Sequence, residues 1–399
     1  MKIALALSGG GYRATVFHLG MIARLAVDEN DLLSQVTHLS TVSGGSLCGG
    51  LVYTLNGFKW PDANQYLNEI VPEARRLLTS FDVQGALIGQ TLSQIWTLFQ
   101  PRTGALSRLM RKQWGVTARL ADIPQEPRWL INTCCYETGK NFRFEPHRMG
   151  DYITGYARPK DFLLADALAA SAGFPGLIGY LPLKTSDFSW YKYKDKMGEN
   201  LFLPVDHPHE TVPIQPAFKK LHLWDGGAYD NQGLEGLMDF ETGWRSNIDF
   251  LVISEATPKA DPVNYSWGVP ALYRLATGIM MEQVRSLRAR VVIEQMRKHA
   301  QPGSYVRIGN TCEYVLNAAN QQQYSPNIVE QCLDSDQVEL AAHTPTMIRK
   351  LTQEEFERLF RHGYETCDYT LFAHHAEPNA KPVQFKFLGY EAVKPRLGK

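Results

Sequence analysis

Short, uninterrupted apolar runs alternate along this chain with longer stretches whose apolar residues recur at helical spacing. The runs are KIALAL near the start, then VTHLSTV, WLINTCC, LHLW and DFLVIS. A run that stays apolar, without alternation, fits a strand covered on both faces. Helices are predicted between them, from about Ala14 to Val27 and from Gly44 to about Leu55. The rhythm predicts an α/β layer structure.

Residues 57–115 change the pattern to helices without strands, an insertion at the edge or mouth of the sheet. Within it Leu87, Ile88, Leu92, Ile95, Trp96 and Phe99 fall near helical spacing, followed by Arg108, Arg111 and Lys112. An apolar face beside basic residues suits either a bilayer interface or the core. Residues 180–219, rich in Pro, Lys, aromatics and Asp, read as a long loop. Residues 271–298 read as one long helix with Leu272, Leu275, Ile279, Val284, Leu287, Val291 and Met296 along one side, expected to pack over the sheet. A C-terminal helical segment at about 340–375 includes Thr352 and Glu355 in capping-box spacing. No linker divides residues 1–399, so a single domain is expected.

The 399 residues carry 41 Lys plus Arg against 41 Asp plus Glu, so no bulk field calls for nucleic acid, and any membrane contact must be local. Apolar content of 44% and charged content of 21% are those of a folded protein. The six cysteines form no CxxC pair, and Gly9 to Arg13 interrupt the first apolar run well short of a signal or membrane segment. A cytoplasmic location, with contact at the inner membrane surface at most, is expected. Cys134 and Cys135, neighbours on a strand, face opposite ways and are not expected to pair.

Three segments carry candidate chemistry. SGGGYR, residues 8–13, runs a strand into three glycines, which suits a phosphate cradle, an oxyanion hole or a tight turn. Gly9, Gly10 and Gly11 could aim consecutive N–H groups at a developing oxyanion, with Arg13 adding charge or fixing the loop. In HLSTVSGGS, Ser43 lies at a strand-to-helix bend followed by Gly44 and Gly45, the geometry of an esterase nucleophile. The first glycine of G-x-S-x-G is replaced by Thr41, whose side chain then needs room. In LHLWDGGAYDN, Asp225 ends a buried strand before Gly226 and Gly227, where a carboxylate can either accept a hydroxyl proton or cap a loop. Asn231 is expected to cap the next helix.

Gly9, Gly11 and Ala14 also satisfy a dinucleotide fingerprint, but the acidic residue it needs at the end of the second strand is missing. Asp206, His207 and His209 have metal-ligand types in a Pro-rich loop that reads as solvated. His18 reads as a satisfied helix histidine. The segment ALAASAGFPGLI, from Ala167 to Ile178, suits close packing near Ser43 or a wall of an acyl site.

Taken in order, SGGGYR, TVSGGS, ALAASAGFPGLI and DGG resemble the patatin-like phospholipase family, and LTQEEFERLFRHGYETCD resembles the terminal helix of its bacterial members. The resemblance implies a three-layer α/β/α sandwich with a mostly parallel central sheet. It implies a Ser-Asp dyad without histidine: Ser43 as nucleophile, Asp225 as general base, and Gly9 to Gly11 as the oxyanion hole. The implied reaction is hydrolysis of fatty-acyl esters of phospholipids or lysophospholipids through an acyl-enzyme. A carboxylate-activated serine requires no metal or cofactor, and transient membrane contact is a separate expectation. The alternative is a catalytically weak lipid-binding or regulatory module on the same fold. No oligomeric state follows from the sequence.

Overall fold

The computed structural model describes residues 1–92, 102–175, 178–194, 210–245, 247–259, 262–298, 301–321, 325–375 and 384–394. Among these residues one twelve-stranded sheet dominates. Its parallel block contains β1 (Ile3–Leu7), β2 (Val36–Val42) and β3 (Arg128–Cys135). On the far side of β1 follow β11 (Phe250–Glu255) and β12 (Gly303–Arg307), both parallel. These are the strands of the apolar runs, with β12, GSYVR, added; its mixed composition gives no apolar run.

Beyond β3 the sheet continues antiparallel through β4 (Lys140–Phe144), β5 (Met149–Asp151) and β6 (Gly155–Ala157). β7 (Leu181–Lys184), β8 (Trp190–Tyr193) and β9 (Thr211–Ile214) lie within the stretch expected to be a loop. Strands of four residues, partly exposed and containing Pro and Lys, leave too short a pattern to read. The expectation of a loop is corrected there. β10 (Lys220–Asp225) runs antiparallel to both β3 and β7.

The pleat of β1 divides the core. Ile3, Leu5 and Leu7 join a large cluster with helices α1 (Gly11–Ala26) and α2 (Gly44–Leu55). Ala4 and Ala6 join a second cluster on the opposite face with Leu234, Leu237, Leu251, Ile253 and Val292. Helices thus cover both faces of the parallel strands, giving three layers.

The 57–115 region is helical, with α3 (Val71–Ser80), α4 (Val83–Leu92) and α5 (Thr103–Trp114). Leu87 is buried in the large core, whereas Ile95, Trp96 and Phe99 lie outside the described residues. Helix α6 (Leu164–Ser171) carries the small residues between the elbow and the aspartate strand. The predicted helix 271–298 starts as a short turn, Val269–Tyr273, passes through a π-helical stretch, Arg274–Met280, and continues as α7 (Met281–Lys298). Val292 is buried, but Leu272, Leu275, Ile279, Val284 and Leu287 are exposed, so the expected packing over the sheet holds only for the C-terminal half.

The last long helix, α8 (Gln353–His375), crosses α1 at unusually close range. A Cβ on Gly20 would sit 2.0 Å from the Phe360 carbonyl oxygen, and one on Gly363 would sit 2.0 Å from that of Phe17. Buried Arg24 then meets Asp368 at 2.5 Å and Asp28 at 2.8 Å. The predicted capping box forms: the Thr352 N–H donates to Glu355 at 2.8 Å and the Glu355 N–H donates to the Thr352 hydroxyl at 3.1 Å.

Candidate active site

The sheet itself brings Ser43 and Asp225 together. One edge of β3 is occupied by β4 through Cys135, so β2 and β10 must share the other. β2 ends with Val42 opposite Asn132, and β10 ends with Asp225 opposite the next residue, Thr133. The first chain turns away at Ser43 where the second arrives, so hydroxyl and carboxylate meet at this junction.

Ser43 has φ 50° and ψ −115°, a strained conformation for a residue with a side chain. Close packing holds it. A Cβ on Gly45 would lie 2.3 Å from the Leu7 carbonyl oxygen, and one on Gly44 would lie 2.3 Å from that of Gly11. The side chain of Thr41 has room because it is bonded: its hydroxyl accepts from Trp129 Nε1 at 3.0 Å and from the Ser46 hydroxyl at 2.9 Å.

Ser171, at the end of α6, ties these pieces together. Its hydroxyl accepts the Ser43 N–H at 3.1 Å, donates to the Asn132 carbonyl at 2.7 Å, and lies 2.8 Å from the Ser46 hydroxyl. Its own carbonyl accepts the Gly226 N–H at 3.3 Å, and the Gly173 carbonyl accepts that of Asp225 at 3.2 Å. The ALAASAGFP segment therefore braces Ser43 and Asp225 together, rather than only filling space.

Asp225 is buried. One carboxylate oxygen, Oδ1, accepts the Gly227 N–H at 2.8 Å, while Oδ2 is buried without a well-formed hydrogen bond. Burial pushes the pKa up to about 7, against the opposing pull of the Gly227 N–H and the adjacent Ser43 hydroxyl. A carboxylate poised near neutrality is matched to general-base work.

The glycine loop lies against this pair. A Cβ on Gly9 would come within 3.1 Å of Ser43 Cβ. Of the three glycine N–H groups expected to face an oxyanion, that of Gly9 is engaged instead, donating to the Asn231 carbonyl at 3.1 Å. Gly10 (φ 142°) and Gly11 (φ 60°) occupy backbone conformations that side chains disfavour.

Residues 5–238, more than half of the chain, match the family model described as patatin-like phospholipase. The chain belongs to the patatin-like phospholipase family. No curated protein matches it in sequence. Among solved structures it is similar to human GIVD cytosolic phospholipase A2, at 14% identity and a TM-score of 0.51, covering 99% of this chain and 62% of that one. The same human enzyme in complex with methyl gamma-linolenyl fluorophosphonate is matched at 17% identity and a TM-score of 0.49, covering 99% and 59%. The chain thus spans less than two thirds of the length of these neighbours, and at such identity the likeness is one of fold.

Other residues of this patatin-like chain are placed as follows. Arg13 is buried and donates through Nε to the Ala256 carbonyl at 3.1 Å and through Nη1 to the Thr344 carbonyl at 2.8 Å, so it anchors the loop. The Tyr12 N–H donates to the Met347 carbonyl at 2.9 Å, a support from the far end of the chain that no sequence signal announced. His18 is buried between the Ser254 hydroxyl at 2.7 Å and the Ser8 carbonyl at 2.9 Å, and burial lowers its pKa to about 4, as suits a structural histidine. Asn231 caps no following helix. It ends the short helix Gly227–Asp230, donates to Thr257 Oγ1 at 2.9 Å, and wedges its amide oxygen between Gly9 and Gly227. Asp206, His207 and His209 lie outside the described residues. All six cysteines are free. Among the described residues no helix is long and apolar enough to cross a membrane.

Proposed function

We propose that the protein is a lipid acyl hydrolase working through Ser43 and Asp225. The observation that carries this reading is the buried Asp225 carboxylate, its pKa raised to about 7, beside a serine held at positive φ under a glycine loop. Asp225 accepts the Ser43 proton as the Ser43 oxygen attacks the ester carbonyl. The Gly10 and Gly11 N–H groups receive the oxyanion, a contribution worth roughly a hundred- to a thousandfold in rate per donor. The tetrahedral intermediate collapses to an acyl-serine, and the departing alcohol takes the proton from Asp225. Water then enters, gives its proton to Asp225 and releases the fatty acid, with the proton returning to Ser43. Arg13, with its guanidinium engaged by two carbonyls, holds the loop rather than the charge.

Phospholipids or lysophospholipids are the proposed substrates, reached at a membrane surface. The test is turnover of p-nitrophenyl butyrate together with labelling by an alkyl fluorophosphonate. Ser43→Ala should lose both, and Asp225→Asn should lose turnover while keeping the fold. Undiminished hydrolysis by either variant would overturn the assignment.

A further inference from the structure

Among the described residues, none from 262 to 280 is buried, although the stretch is strongly apolar. Tyr265 is 90% exposed, Trp267 81%, Val269 78% and Leu272 66%, with Leu275 and Ile279 about half exposed. Isolated apolar residues on a surface need no explanation, but a contiguous run of this kind marks an interaction site. Between Pro262 and Met281 the sequence contains a single charged residue, Arg274, and no carboxylate.

The run adjoins the site. The Tyr273 ring packs edge-on against Phe174 at 6.5 Å, and Phe174 follows Gly173, whose carbonyl holds the Asp225 N–H. A cavity of about 170 Å³, lined by Gly227, Ala228 and Asn231 on one side and by Ala276, Met280 and Val284 on the other, joins the aspartate turn to this helical face.

We infer that residues 262–287 form a bilayer-docking face that seats the protein with its ester site toward the membrane. The inference rests on the acyl-hydrolase reading for what the site consumes. Exposed Trp and Tyr beside Val, Leu and Ile, in a stretch, 262–281, with one cation, is the composition of an element lying in the lipid interface. A second protein copy on this face would cover the wall shared with the site, whereas a bilayer brings its esters by the same contact. Of the nearby cations, Arg285 pairs with Glu282 and Arg288 lies 3.2 Å from Asp230. Binding therefore rests on apolar insertion and should occur on zwitterionic lipid.

The experiment is flotation of the full chain with phosphatidylcholine vesicles, with fatty-acid release from those vesicles and p-nitrophenyl butyrate turnover measured in parallel. Wild type should float, with little change between low and high salt. Trp267→Glu combined with Leu272→Glu should lose about tenfold or more in vesicle binding and in fatty-acid release, with soluble-ester turnover kept. Ser43→Ala should float like wild type, so the docking face and the hydrolase reading can fail separately. Equal flotation by wild type and the double variant, or none by wild type, would overturn the docking face. So would a wild-type dimer that the double substitution dissociates, since a second copy would then be the occupant.

Discussion

Helix α8 packs on α1, the helix that follows the glycine loop, and the helical stretch 269–280 adjoins the aspartate turn; both carry apolar residues at helical spacing, yet they have opposite surroundings. α8 is gripped along its length. Gly20 and Gly363 let the two backbones touch, Phe356, Leu359, Phe360 and Tyr364 are buried, and Arg24 closes on Asp368 in the dry interior. The stretch 269–280 has no buried residue at all. An amphipathic period says that a face will be covered, without saying by what. The distinguishing information in α8 is a glycine where a carbonyl must approach and a charged partner for each buried charge.

The largest effect should come from the buried pair. Arg24→Ala leaves Asp368 buried without its cation and should destabilise the protein by about 3–5 kcal/mol in chemical denaturation. An unchanged midpoint would mean that the grip on α8 lies elsewhere. The same substitution placed in both segments gives the next contrast. Gly363→Ala drives a methyl into the Phe17 carbonyl and should cost about 1–3 kcal/mol or more. Gly278→Ala meets only the flexible Arg274 side chain, at 3.1 Å, and should stabilise by up to about 1 kcal/mol through helix propensity. Two losses of equal size would erase the distinction.

The smallest effect on the fold is expected on the exposed face. Leu272→Glu should change stability by no more than about 0.5 kcal/mol. It should also leave the pH profile on a soluble ester untouched. For wild type and Leu272→Glu alike, kcat/KM should rise with pH through about 7, because Asp225, as the proposed base, acts only when ionised. The stability effect has the opposite sign. A carboxyl whose folded pKa lies above its unfolded value favours the fold while protonated and loses that advantage as pH rises toward 7. Asp225→Asn should accordingly gain stability over wild type at pH 8, with the gap closing below pH 4; no gain would argue against a raised pKa at this carboxylate.

The parallel strands could be read in the sequence because strands buried on both faces make long apolar runs, and the Ser43 bend because its glycines are local. The antiparallel strands could not, being short, edge-like and interrupted by Pro and Lys. The alignment of Val42 and Asp225 on successive residues of β3 is a matter of pairing, to which no local pattern refers. The same holds for Gly9, whose N–H goes to a carbonyl more than 200 residues away, and for Ser171, whose small side chain reads as packing until its three hydrogen-bond partners are in view.

The contacts of Tyr12 with Met347 and of Arg13 with Thr344 also set an order in time. While the chain emerges from the ribosome, Ser43 and Asp225 are made long before the segment that steadies the glycine loop. A nascent chain that already holds Ser43 and Asp225 still lacks this support for its glycine loop until residues 344–347 are made. If Ser43 is the nucleophile, stalled chains ending before residue 344 should resist fluorophosphonate labelling, while chains of residues 1–399 accept it.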